Sequence, residues 1–231
     1  MKKAAPDESR PIVPSGTSNL MSALIRLWRV KCNGDGRLPL TPAPAYGAFA
    51  AMALRVFAAL PIPDEIAERV SPLLKGVPGA KWRPEENFHI TLAFYGEWPE
   101  DRIAELDHEL SLIRIAPFDL RLKGTGHFGK ASPTQLWLGV EGGEPLERLA
   151  RQCHRAGVKA GMDMEKRNYT PHLTVAYLNM AEIVRVQRFE ERLNLWASEP
   201  FLADRFHLYS SHQRGRGPNA YEIEAEYPLE S

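Results

Sequence analysis

His89-Ile90-Thr91-Leu92-Ala93-Phe94 and His172-Leu173-Thr174-Val175-Ala176-Tyr177 are one phrase written twice, 83 residues apart. Both copies are rich in β-branched and aromatic residues, which favour strands. Side chains alternate faces along a strand, so each His shares a face with the Thr two places on. Ile90, Leu92 and Phe94, like Leu173, Val175 and Tyr177, are then expected to turn the other way, into a core. Brought side by side, two such strands place two imidazoles and two hydroxyls around one cavity.

Working outward from the two phrases, the punctuation of the chain is the same on both sides. A strand over 54–60 leads through Pro61 and Pro63 to a helix over 64–75. The first His strand (88–95) is followed by Pro99 and a helix with Ile103, Leu106, Leu110 and Ile113 at helical spacing. A third strand over 118–123 ends at Gly124 and Gly126. A strand over 135–140 then runs through Gly142-Gly143 to a helix begun by Pro145, with Leu146, Leu149, Cys153 and Ala156 on one face. The second His strand (169–178), a helix over 181–195 and a strand over 201–209 follow. A hairpin through Gly215-Arg216-Gly217-Pro218 ends in a strand over 220–227. Each half therefore reads β-α-β-α-β with the His phrase on its middle strand. Two copies make a duplication and not a solenoid. Helices covering one face of each sheet leave the His/Thr faces to meet across a cleft.

Residues 1–50 differ in character. Pro, Gly, Ser and Ala dominate them, and they carry seven Lys/Arg against three Asp/Glu. Such a stretch buries little apolar surface, so residues 1–51 are expected to form a disordered extension ahead of a domain spanning 52–231. Met52 directly precedes the first strand and marks an alternative start. The whole chain balances 29 basic against 29 acidic residues, so the body beyond residue 50 is slightly acidic. That excludes tight, non-specific wrapping of nucleic acid, which needs many phosphate contacts, but leaves room for grasping a single phosphate. Two cysteines, Cys32 and Cys153, with no C-x-x-C, indicate neither a disulfide framework nor a zinc knuckle. No apolar run reaches transmembrane length, and the N-terminus lacks a secretory apolar core. A soluble, cytoplasmic protein is expected.

A lone strand histidine is usually structural; a recurring His-x-Thr in one slot is not. In-line displacement at phosphorus needs a base at one end and an acid at the other. Imidazole, with an ordinary pKa of roughly 6.5, serves as either. The threonine hydroxyls suit the non-bridging oxygens, where charge grows in the transition state. Neither His has a second ligand at metal spacing on its own strand, so no metal and no cofactor are expected. His108, His154, His207 and His212 read as structural or solvated. His127, in a Gly-flanked loop, is a minor candidate for the border of the cleft. Arg83, Lys130, Arg167 and Arg214 are the candidate sources of positive charge for a phosphate.

These residues make the chain resemble the 2H phosphoesterase superfamily, named for its two His-x-Thr-x motifs, and within it the LigT-like RNA 2′,3′-cyclic phosphodiesterases. The resemblance runs from Leu54 to the C-terminus. It includes Arg55-Val56-Phe57-Ala58-Ala59-Leu60-Pro61, Trp82-Arg83-Pro84-Glu85-Glu86-Asn87-Phe88-His89-Ile90-Thr91-Leu92, Gly126-His127-Phe128-Gly129, Leu136-Trp137-Leu138-Gly139-Val140 and Tyr169-Thr170-Pro171-His172-Leu173-Thr174. It implies a bilobal α+β fold with pseudo-two-fold symmetry, whose mostly antiparallel sheets face a central cleft with helices outside. It further implies metal-independent opening of a terminal 2′,3′-cyclic phosphate to a 2′-phosphate. In that scheme His89 is the proton donor, His172 the proton acceptor, and Thr91 and Thr174 bind the phosphate. RNA ends or small cyclic-phosphate nucleotides are the expected partners of a monomeric enzyme that touches no membrane. Alternatives are 2′-5′ RNA ligation, hydrolysis of a small cyclic nucleotide, or a non-catalytic module that binds RNA ends. One position departs from the resemblance: many relatives carry arginine five places beyond the second motif's His, where this chain has Tyr177.

Overall fold

Val56 to Leu60 form an apolar run without alternation, which in a strand means cover on both faces. That run is the centre of β1 (Leu54–Pro61), and all five of these residues are buried. The structure, a computed structural model, describes residues 53–130, 132–165, 168–213, 215 and 217–231. The expectations for residues 1–51, Met52, Arg167 and Arg214 lie outside the described residues.

After Pro63 the chain enters α1 (Asp64–Val70), with Asp64 and Glu65 in its first turn, where the helix dipole favours negative charge. The helix expected over 64–75 gives way after Val70 to a 3₁₀ turn at Ser71–Leu73. Pro72 is the reason, because it lacks the N–H that would continue the ladder. A two-residue strand, β2 (Lys81–Trp82), precedes β3 (His89–Trp98), and α2 (Glu100–Ser111) buries Ile103, Leu106 and Leu110. The next strand, β4 (Phe118–Phe128), does not end at its glycines. Gly124, at φ +70°, shares a bulge with Lys123 opposite Gly139, and pairing resumes at Thr125. Then come β5 (Gln135–Glu141), α3 (Gly143–Lys159), β6 (His172–Tyr177) and α4 (Ile183–Leu193). The single strand expected over 201–209 is two, β7 (Phe201–Ala203) and β8 (Arg205–His212), parted at Asp204; β9 (Ala220–Pro228) closes the chain.

The fold is α+β and its strand pairs are antiparallel, in the order β7-β4-β5-β6-β3-β1-β8-β9, with β2 beside β6. This order exposes a feature that the β-α-β-α-β reading of each half did not contain. The third strand of the first half, β4, has crossed to the other lobe, and in the second half β8 and β9 have crossed while β7 has not. β4 pairs with β5 and β7, whereas β8 and β9 extend the sheet from β1. One lobe is thus β3-β1-β8-β9 and the other β6-β5-β4-β7, each assembled from both halves of the sequence. The break at Asp204 is where the chain leaves one lobe for the other.

Candidate active site

The lobes meet at β3 and β6, which pair antiparallel at Ile90↔Leu173. Counting along an antiparallel pair, His89 lies toward Thr174 and Thr91 toward His172. Ile90 and Leu173 between them are fully buried, while all four motif side chains are partly open. The structure therefore brings together the residues that the repeated phrase singles out.

Each imidazole is held the same way. His89 Nδ1 is 2.9 Å from the carbonyl of Asn87, and His172 Nδ1 is 2.7 Å from that of Thr170, in both cases two residues back. A carbonyl only accepts, so Nδ1 carries the hydrogen, and in the neutral ring Nε2 carries the lone pair. Aromatic walls repeat as well. His89 sits against Phe57 of β1 (4.9 Å), Tyr221 of β9 (5.2 Å, edge-on) and Tyr209 of β8 (6.2 Å). His172 sits against Phe128 of β4 (5.0 Å, edge-on) and Trp137 of β5 (6.3 Å). Each His thus faces one ring from its own half, and His89 two and His172 one from strands that crossed over. Burial pushes the His89 imidazole down to about 4; its bond to the Asn87 carbonyl opposes this, while the charges of Arg83 and His172 add to it. Burial also raises the phenol of Tyr209 to about 12, and that of Tyr221 rises for the same reason. Both stay neutral near pH 7.

Two side chains point opposite to expectation. Phe94 and Tyr177 are not in the core; each is 40% exposed. The cause is a bulge at the same place in both phrases. Against β1 the register runs from Ala93 to Thr91 and omits Leu92; against β5 it runs from Ala176 to Thr174 and omits Val175. One extra residue reverses the alternation, so Phe94 and Tyr177 return to the face of the histidines. Arg55 lies over the Phe94 ring at 4.9 Å, and Arg83 over Tyr177 at 5.4 Å. The position where the resemblance expects arginine therefore has a guanidinium above its ring, delivered from β2's side of the chain. Arg83 is held by its own N–H on the Val175 carbonyl and by a bond from its guanidinium to Tyr221 Oη, 3.0 Å.

Other candidates separate from this cluster. His127 is on β4, not in a loop, and its Nδ1 is 2.7 Å from Glu190 Oε1 of α4. His207 is buried between Tyr209 and Glu226 and is structural, as expected. Lys130 is exposed beyond β4. Among the described residues, the group close enough to share a cation is His212, Glu222 and Glu224 on the β8–β9 hairpin; neither His89 nor His172 belongs to it. The aromatic walls and the β9 contribution through Tyr221 had no signature in the sequence, because they depend on strands meeting across lobes.

Residues 62–215 match the model of the 2′-5′ RNA ligase superfamily. The chain is 37% identical over 141 residues to an RNA 2′,3′-cyclic phosphodiesterase of Archaeoglobus fulgidus, covering 57% of this chain and 80% of that one. It is 32% identical over 174 residues to the enzyme of the same name from Thermotoga maritima, covering 71% and 90%. Among solved structures it superposes on LigT of E. coli in apo form with a TM-score of 0.63 at 25% identity, over 78% of this chain and 99% of that one. Among the described residues no helix is long and apolar enough to cross a membrane.

Proposed function

The chain belongs to the 2′-5′ RNA ligase superfamily, and from that premise we propose that it opens RNA 2′,3′-cyclic phosphate ends to 2′-phosphomonoesters by two-histidine acid–base catalysis without a metal. One observation carries the reading: two imidazoles on adjoining strands, each with Nδ1 tied to the carbonyl two residues back. Binding alone needs no such matched pair, whereas an in-line displacement needs one proton acceptor and one proton donor.

In this mechanism Nε2 of His172 takes a proton from water as the water oxygen bonds to phosphorus. The P–O3′ bond breaks, and Nε2–H of His89 delivers its proton to O3′. The hydroxyls of Thr91 and Thr174 donate to the non-bridging oxygens. His89 is a neutral ring in the free protein near pH 7. The arriving phosphodiester anion favours its charged form, so the donor gains its proton together with the substrate. Residues 52–231 are the catalytic unit of this reading, monomeric and cytoplasmic, with residues 1–51 as a dispensable extension.

The test is hydrolysis of a 2′,3′-cyclic substrate in EDTA, with products resolved by NMR. Turnover is expected to survive chelation and to yield the 2′-phosphate. His89→Ala and His172→Ala are each expected to lose about 10²- to 10⁴-fold, the usual worth of a positioned proton-transfer group. A dominant 3′-phosphate means that donor and acceptor are reversed, and loss of activity restored by Mg²⁺, Mn²⁺ or Zn²⁺ overturns the metal-free step.

A further inference from the structure

Arg83 is a buried cation. It is 8% exposed, its guanidinium donates to Tyr221 Oη, and it lies 5.4 Å over the rings of both Tyr177 and Tyr221. Among the described residues no carboxylate forms an ion pair with it. A charge withdrawn from water without a counter-charge is costly, and among the described residues a phenol and two ring faces offset the loss. The side chain faces a cavity of about 410 Å³, lined also by Lys81, Trp82, Tyr177, Asn219 and Tyr221. Two cations and three aromatic rings around one opening are what a single-stranded nucleic acid requires, charge for the backbone and a face for a base.

This cavity is not the reaction centre. None of His89, Thr91, His172 and Thr174 lines it, yet it shares a wall with them, because the Tyr221 ring also meets His89 edge-on. Along β6, Tyr177 is three residues past Thr174, at most about 10 Å at roughly 3.3 Å per residue, since the bulge at Val175 lies between them. We propose that the cavity is a subsite for the phosphodiester one nucleotide upstream of the reacting cyclic phosphate. Arg83 and Lys81 meet its charge, and Tyr177 or Tyr221 stacks on the adjoining base. The subsite rests on the RNA-end reading above and sharpens it: an RNA terminus is preferred to a free cyclic mononucleotide because only the former carries that second anion.

Three substrates with one terminal nucleotide test this: a cyclic mononucleotide, a dinucleotide ending in the cyclic phosphate, and the same dinucleotide with a neutral methylphosphonate linkage. The unaltered protein is expected to favour the charged dinucleotide in kcat/KM by about tenfold or more, the scale of one charge-assisted contact, and to lose most of that preference on the neutral linkage. Arg83→Met, which keeps the stem's packing, is expected to cost the charged dinucleotide far more than the other two. Lys81→Met, at an exposed position, is expected to remove a smaller part of the preference. The measurement on the unaltered protein stands whether or not the Arg83 variant folds. Equal rates on charged and neutral linkages, or an equal loss on all three substrates in Arg83→Met, overturn the subsite and leave the RNA-end reading intact. Failure to hydrolyse any of the three overturns that reading itself, and the subsite with it.

Discussion

His89 and His172 share the same anchor but not the same surroundings, and the difference has a measurable consequence. Burial holds His89 at about 4 in the free protein. The profile of kcat/KM against pH reports free-protein groups, and with one acid and one base its acid limb is set by the lower of the two values. If His89 is the base, activity falls below about pH 4 because its lone pair is lost. If it is the acid, the gain in its charged form as pH falls is offset by protonation of the partner, and the rate still begins to fall only at the lower value. Where His89 is the lower of the two, the acid limb is expected near pH 4 under either assignment, and product identity is what separates the roles. Stopped assays between pH 3 and 9 check this; an acid limb near 6.5 would show that His89 is not depressed.

At the scale of elements, the repeated bulges do more than turn two rings. By omitting Leu92 and Val175 from the pairing, they carry Phe94 and Tyr177 to the face of the histidines. A third local device sits on β4, where Gly126 pairs directly with Trp137. A Cβ at Gly126 would overlap the six-membered ring of that indole, which in turn packs on Phe128 and His172. Gly126→Ala is accordingly expected to cost about 1–3 kcal/mol, the usual penalty for overpacking, and to lower turnover by displacing the ring beside His172. Trp137→Phe in the same chain makes room and is expected to recover part of both losses; a thermal melt and a rate for each of the four chains complete the cycle. Additive losses would show that the two positions do not press on each other. The period of two made the His/Thr face legible in the sequence, and the period of 3.6 gave the helices with their buried stripes. The bulges were not legible, since neither Leu92 nor Val175 is a glycine or carries any local mark. They arise from how β1 and β5 dock, and docking partners are not written in alternation.

At the scale of the molecule, the crossing of β4 and of β8 with β9 decides how the protein comes apart. Two lobes, each formed from its own half, would be able to melt separately. Here every lobe takes strands from both halves: β1 lies between β3 and β8, and β5 lies between β6 and β4. Pulling either half out removes a neighbour from the central strand of both sheets, exposing the fully buried Val56, Ala58, Leu136 and Leu138. Neither partly unfolded state keeps a closed core, so intermediates are strongly penalised. The body of 52–231 should then unfold in one transition although its sequence is a duplication. In calorimetry a chain beginning at Met52 is expected to give a single peak whose van't Hoff and calorimetric enthalpies agree, at the melting temperature of the full chain. The match in temperature tests the dispensable extension, and the single peak tests the crossing. Two resolved peaks would mean that the lobes hold together independently, and a lower melting temperature would mean that residues 1–51 add stability to the body.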